Sequence, residues 1–406
     1  MEKTDKKSTL LVSWVFAAAL REYLVPFSFT QASATIHTLV SILSKGILVM
    51  TTIVAQDDHI IRALSVLLDP NCPQERIHAF EDYYSVDMPN FLEWRDELRR
   101  KYTKVFPSKV ILTHSQMEFD ASLEEADGVV VEDYYFGKKQ LKNAQKLRIC
   151  HNFRSDMRNI DEPACVASGV VVKPLFRRVN VAVGEHAFSL MMALGKKLVE
   201  TNKLITIEEL RSEGWPAELY NRKHTANSNW ARITGVKNMR GSTLGLVGLG
   251  SVGREVARWA NAFNMKVIYT QRNQLSADLE KVFNASFCSI ETLFKESDFI
   301  SIHIPLNNET RGMIGDELLK LTRPDTIIVN IARADIIQRE ALLKMLEAGR
   351  LGGVGMDVHY KEPGDIDDPF RKYKNVILSP HIAIGSRKNG AQDMEDVIFN
   401  LNDAIG

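Results

Sequence analysis

The sequence predicts an α/β chain of two doubly wound parallel-sheet domains behind an N-terminal extension, and three observations carry that prediction. From residue 50 onward, short Val/Ile-rich runs alternate with charged amphipathic segments, the pattern of strands joined by crossover helices. The run Leu244-Gly-Leu-Val-Gly-Leu-Gly-Ser-Val-Gly253 sets Gly248, Gly250 and Gly253 at GxGxxG spacing between an apolar strand and an amphipathic helix. At 406 residues the chain is long enough for two cores of ordinary size.

Residues 1–49 do not read like the rest. Lys3, Lys6 and Lys7 precede an apolar run over 10–20, broken only by Ser13, and Ala17-Ala18-Ala19 imitates a signal-peptidase site. Glu2 and Asp5 fit a signal peptide poorly, and the run is too short to span a bilayer. From Met50 the sequence reads as a native start, so 1–49 is expected to be a dispensable extension, with a targeting peptide as the other reading.

The strands expected next are 53–55, 110–112, 128–131 and 170–172, with helices over 91–102 and 138–147. This half has no GxGxxG and is therefore assigned as a substrate domain, 50–180 completed by 383–406. A helix over 183–198 turns Ala187, Leu190, Met191, Leu194 and Leu198 to one side, suiting an interdomain, subunit or plain core contact. Residues 200–240 are polar and read as loop. The second domain, 181–382, is expected to hold six parallel strands: 244–247, 266–269, 299–304, 326–330, 355–358 and 376–378. After its glycine turn, Val252, Val256, Trp259, Ala260 and Phe263 form an apolar stripe able to pack back on the sheet.

That turn has a physical purpose. In a Rossmann domain the first glycine permits a tight turn, the second lets a pyrophosphate approach the backbone and the third allows close helix–strand packing. The anion then meets free N–H groups of Ser251, Val252 and Gly253 at a helix N-terminus. An acidic residue about 20 positions on would accept hydrogen bonds from the ribose of NAD; here Gln271 stands there, followed by Arg272. With the carboxylate absent and a guanidinium present, NADP is expected over NAD.

Lys plus Arg and Asp plus Glu both total 51, so no global field recruits nucleic acid or a membrane surface, and a small molecule is the expected partner. Cys72, Cys150, Cys165 and Cys288 show no metal-ligand spacing. They are expected to be buried free thiols in a reducing, cytoplasmic setting, with no metal site.

From about residue 183 to the C-terminus the sequence resembles the D-isomer-specific 2-hydroxyacid dehydrogenases. The resemblance rests on Val183-Gly-Glu-His-Ala187, the glycine run, Asp298-Phe-Ile-Ser-Ile-His-Ile-Pro-Leu306 with Glu309-Thr-Arg-Gly-Met-Ile-Gly315, Val329-Asn-Ile-Ala-Arg333, Gly355-Met-Asp-Val358 with Lys361-Glu-Pro363, and Ser379-Pro-His-Ile382. It implies a Rossmann nucleotide domain with a flavodoxin-like substrate domain, a homodimer, and interconversion of a 2-oxo acid with its D-2-hydroxy acid. It also implies that Arg333, Glu362 and His381 carry the chemistry. An imidazole titrates near neutrality and can move the proton, a carboxylate beside it stabilises the imidazolium, and a guanidinium fork holds the substrate carboxylate. Taken singly each has an innocent reading: ion-pair partner, loop carboxylate or capping histidine. Asp357 resembles the residue near the nicotinamide carboxamide, while His303, Pro305 and Ala332 are expected to line the cofactor cleft.

The resemblance weakens at the substrate loop. Where the family has a Gly-rich turn before Asn-Ile-Asp, this chain has His151-Asn-Phe-Arg-Ser-Asp-Met-Arg-Asn-Ile-Asp161. Arg154 and Asp156 are expected to hinder backbone approach to an anion, Arg154 being either a side-chain clamp or a solvated charge. Tyr134, Tyr135 and Phe136 line a pocket or close the sheet, and Arg177 and Arg178 attract an anion or sit in water. A catalytically idle, dinucleotide-sensing or corepressor-like protein on the same fold is the competing reading.

Overall fold

The computed structural model describes residues 50–406, so the expectation for 1–49 lies outside the described residues. Every strand pairing is parallel. The first sheet comprises β1 (Thr51–Gln56), β2 (Ser108–Thr113), β3 (Gly128–Val131), β4 (Ile149–Asn152) and β5 (Val171–Pro174) in the order β2-β1-β3-β4-β5. The second comprises β6 (Thr243–Val247), β7 (Lys266–Thr270), β8 (Ala285–Phe287), β9 (Phe299–Ile302), β10 (Ile327–Asn330), β11 (Gly353–Met356) and β12 (Val376–Leu378) in the order β12-β11-β10-β9-β6-β7-β8. These are the flavodoxin-like and Rossmann windings, in which ligands bind beyond the carboxyl ends of the strands where the order reverses. The reversals fall between β1 and β3 and between β6 and β9.

Strands sandwiched between helix layers lose both faces to the core, which is why β3, β9 and β10 are buried at every position. The C-terminal helix Lys388–Ile405 returns to the first sheet, where Met394, Val397, Ile398 and Leu401 join Ile53, Ile149 and Phe153 in one core. Helix Arg178–Gly195 packs Leu190 and Leu194 into the core of the second sheet with Val329. Among the described residues no helix is long and apolar enough to cross a membrane.

Several expected elements shift. The second sheet has seven strands rather than six, because β8 is a three-residue edge strand whose Ser286 and Phe287 face out. The helix expected over 183–198 starts at Arg178, whose backbone N–H is capped by Asp393 from the C-terminal helix. It stops at Gly195, and Leu198 begins a separate short turn. The segment expected over 138–147 is helical only across Lys138–Leu141 and continues as turns. Residues 200–240 are largely loop but contain helix Ile207–Ser212. On helix Ser251–Ala262 the buried stripe is Gly253, Val256, Ala257 and Ala260, while Trp259 stays 36% exposed and Phe263, just beyond, 41%. Tyr134 and Phe136 close the first sheet, packing on Phe119.

Candidate active site

β6 ends at the order reversal, and the chain turns there through Gly248 at φ +99°. A Cβ at Gly248 would lie 2.9 Å from the His303 carbonyl oxygen, and one at Gly253 would lie 2.3 Å from the Gly248 carbonyl oxygen. Gly250 faces open space instead, with nothing within 4 Å of a Cβ there. It is also the N-cap of helix Ser251–Ala262 and offers no capping side chain. The N–H groups of Ser251, Val252 and Gly253 therefore have no partner among the described residues, and the bare cradle fits a dinucleotide diphosphate.

Gln271 supports this turn. Its Oε1 accepts the Leu249 N–H at 3.2 Å and its Nε2 donates to the Asn273 carbonyl at 2.7 Å. Arg272 pairs with Glu309, both side chains being more than two-thirds exposed. A cleft of about 590 Å³ is lined by Gly248, Gly250, Gln271, Arg272, His303 and Pro305 among others. Both His303 ring nitrogens are sealed from solvent without a partner among the described residues, and burial pushes its pKa down to about 3. The ring is therefore neutral.

His303 and Pro305 are shared with a neighbouring cavity of about 400 Å³, into which Val252, Ala332, Arg333, Asp357 and His381 also open. His381 Nδ1 stands 2.7 Å from Glu362 Oε2, and Glu362 Oε1 accepts the His359 N–H at 2.8 Å. Desolvation pushes the Glu362 carboxyl up, but these hydrogen bonds outweigh it and hold the group below its ordinary value. His381 adopts φ +55°, a left-handed conformation that non-glycine residues keep only when their surroundings over-determine it.

Asp357 supplies that determination. Fully buried, it accepts Ser379 Oγ at 2.5 Å and the backbone N–H groups of Ile382 at 3.0 Å and Ala383 at 2.8 Å. His186 closes the hub, 2.9 Å from Ser379 Oγ and 3.4 Å from Asp357. Burial raises the Asp357 pKa, yet the bonds from His186, Ser379 and the two N–H groups leave it lowered. Arg333 is exposed, and its Nη1 donates to the Ala332 carbonyl at 2.6 Å. The turn carrying it is tied by buried Asn330, which receives the Ala332 N–H and donates to the Arg333 carbonyl. His186, Ser379 and Asn330 lie inside the family-like motifs, where the sequence alone gives them no role.

The substrate loop departs from expectation. Arg154 and Asp156 do not block the backbone, because their side chains are drawn aside: Arg154 to Asp133 at 2.6 Å and Glu132 at 3.4 Å, Asp156 to Arg158 at 2.5 Å. None of these residues has a positive φ, so glycine is not required. The N–H groups of Arg154, Ser155, Asp156 and Met157 have no partner among the described residues, leaving a row of donors open to an anion. Burial raises the Glu132 pKa against the pull of Arg177 and Arg154. Arg177 and Arg178 are not free to attract a ligand: Arg177 lies on Glu132 and over the Phe153 ring, and Arg178 on Asp393 and Asp396.

Residues 188–383 match the model of the D-isomer specific 2-hydroxyacid dehydrogenase NAD binding domain. Glyoxylate reductase of Thermococcus litoralis is 32% identical over 336 residues, 83% of this chain and 92% of that one. Its counterpart in Pyrococcus furiosus is 36% identical over 243 residues, 59% and 68% of the two chains. A crystal structure of a glyoxylate reductase from Paecilomyes thermophila shares the fold with a TM-score of 0.51 at 22% identity, covering 88% of this chain and 96% of that one. A glycine cradle beside a buttressed Glu–His pair and near-full-length similarity lead to one conclusion: the chain belongs to the D-isomer specific 2-hydroxyacid dehydrogenase family.

Proposed function

We propose that this chain reduces a small 2-oxo acid of the glyoxylate or hydroxypyruvate kind to its 2-hydroxy acid, with NADPH preferred to NADH. The observation that carries the reading is the Glu362–His381 pair beside Arg333 at a cavity that shares His303 and Pro305 with the glycine cleft. Similarity to glyoxylate reductases supports the substrate class.

A dinucleotide held by the glycine turn and the free N–H groups of Ser251, Val252 and Gly253 would supply a hydride for C2 of the acid. Arg333 swings from its own backbone contact to grip the substrate carboxylate, helped by the free N–H row at 154–157. Glu362 accepts a hydrogen bond from the His381 Nδ1–H, which leaves the Nε2–H of the imidazolium to deliver its proton to the carbonyl oxygen as it becomes an alcohol. The carboxylate stabilises the imidazolium beforehand. Nothing in the site favours an idle sensor.

NADPH preference rests on Arg272 and on the lack of a carboxylate at Gln271. The Arg272–Glu309 pair is exposed, so breaking it costs at most about 1 kcal/mol, less than a guanidinium gains on a phosphate. Trp259 and Phe263, exposed on the nucleotide side, suit a homodimer contact, which light scattering checks. Free thiols, three of the four buried, suit a reducing cytoplasmic compartment.

The test is a panel of 2-oxo acids (glyoxylate, hydroxypyruvate, phenylpyruvate and branched-chain analogues) followed by NADPH and NADH absorbance, with His381→Ala as the blank. Turnover unaffected by that substitution refutes the mechanism. Arg272→Ala is expected to lower the NADPH/NADH ratio of kcat/KM about tenfold, and an unchanged ratio removes the cofactor assignment.

A further inference from the structure

We propose that Arg158, carried by the substrate-side loop, grips a phosphate of the bound dinucleotide and so couples cofactor binding to the anion row at 154–157. The inference rests on the dinucleotide reading above and adds to it a residue from the other sheet. Every other residue lining the glycine cleft falls between Val247 and Met313, whereas Arg158 follows β4 of the first sheet. Its side chain is 78% exposed and held by Asp156 of its own loop, Nε to Oδ2 at 2.6 Å. That carboxylate also feels the charge of Arg254 on helix Ser251–Ala262. Arg254 makes no ion pair with a carboxylate among the described residues, the partner of Asp156 being Arg158, so positive charge remains beside the glycine turn.

Contact across the cleft is already made. Ser155 Oγ lies 3.4 Å from Ser251 Oγ, in the first turn of the helix whose N–H groups are free. Between Ser155 and Arg158 run N–H groups open to the substrate carboxylate. A phosphate on Arg158 would therefore hold the same few residues that must be in place to receive the acid. Each ligand then tightens the other, as reciprocal linkage requires.

The experiment measures binding without turnover, so it does not depend on identifying the acid. NADPH and NADH are titrated by their own fluorescence against the wild-type chain, Arg158→Gln and Arg158→Lys, with and without oxalate as a planar stand-in for a 2-oxo acid. Arg158→Gln is expected to weaken NADPH about tenfold, to be partly rescued by Lys, and to bring the factor by which oxalate tightens NADPH down toward one. A loss confined to NADPH places Arg158 on the 2′-phosphate, and an equal loss with NADH places it on the diphosphate. Unchanged affinity for both cofactors overturns the proposal, and weakened affinity with intact oxalate coupling overturns its coupling half. If the wild-type chain binds neither cofactor, the dinucleotide reading itself has failed. The unfolding midpoint should not move, since the side chain packs on nothing but its own loop.

Discussion

Glu362 Oε2 is 2.7 Å from His381 Nδ1, and in the proposed reaction this contact leaves Nε2 for the substrate. Replacing the carboxylate by an amide keeps the shape and removes the charge that stabilises the imidazolium, so Glu362→Gln is expected to lower kcat about 100-fold with KM little changed. Steady-state kinetics on the best acid of the panel would show it, and equal kcat values would dismiss Glu362 from the mechanism. Because the hydrogen bonds hold the Glu362 carboxyl below its ordinary 4.5, the variant should lag the wild type at every pH above that value. The three side chains proposed to react are legible in the sequence because their chemistry restricts them to few residue types and each sits in a recognisable motif. Their supports are not. Asp357 spends both carboxylate oxygens on the 379–383 loop, and Ser379 and His186 meet 193 positions apart, a pairing no local spacing announces. Arg154 and Asp156 mislead for a related reason. A side chain at a glycine position obstructs only if it has nowhere else to go, and here Asp133, Glu132 and Arg158 give both an outlet.

The strand–turn–helix unit from β6 through helix Ser251–Ala262 is the most legible element, since three glycines, an apolar run and a helical period agree there. Its glycines nevertheless differ in kind, and two substitutions separate packing from binding. A Cβ at 253 would press on a backbone oxygen at 2.3 Å, so Gly253→Ala should lower the unfolding midpoint by several degrees, in keeping with an overpacking cost of about 1–3 kcal/mol. A Cβ at 250 meets nothing, so Gly250→Ala should melt as the wild type does yet bind cofactor at least tenfold more weakly, because the methyl stands where a diphosphate must approach. Calorimetry and fluorescence titration on the pair check this, and a Gly250→Ala protein with normal cofactor affinity would contradict the cradle. Other elements are harder to read, either because the local signal is short or because a distant contact decides. Thr206 and Glu209 form a reciprocal capping box on helix Ile207–Ser212, visible as T-x-x-E inside a segment whose polarity otherwise reads as loop. Trp259 belongs to the apolar stripe by its character, though Ala257 and Ala260 lie closer to the packed face.

At the scale of the whole molecule the chain leaves the first sheet after β5, builds the second, and returns as helix Lys388–Ile405. Alternating apolar runs make both windings foreseeable, but the polar pair that meets beside this apolar return, buried His151 and half-buried Asn400, is placed for reasons found only in the assembled core. His151, on β4, has no exposed surface and its Nε2 accepts from Asn400 Nδ2 of the returning helix at 3.2 Å. Burial pushes its pKa down from 6.5 to about 4, and His303 at the glycine cleft moves the same way. The sign follows from proton uptake. Between about pH 6.5 and 4 the unfolded chain binds a proton on His151 that the native state refuses, so stability is complete above 6.5 and declines as the pH falls through that window. Each tenfold drop in proton affinity on folding is worth about 1.4 kcal/mol, so His151 contributes a loss of roughly 3 kcal/mol at the acid end. His151→Gln keeps an acceptor for Asn400 and cannot titrate, so it should be less stable than the wild type at pH 7.5 but lose less on acidification. Urea midpoints for both proteins at pH 7.5, 6 and 5 give the comparison as a difference of slopes, which cancels the carboxylates common to both. Parallel slopes would mean that the junction between β4 and the final helix opens to water well before the molecule unfolds.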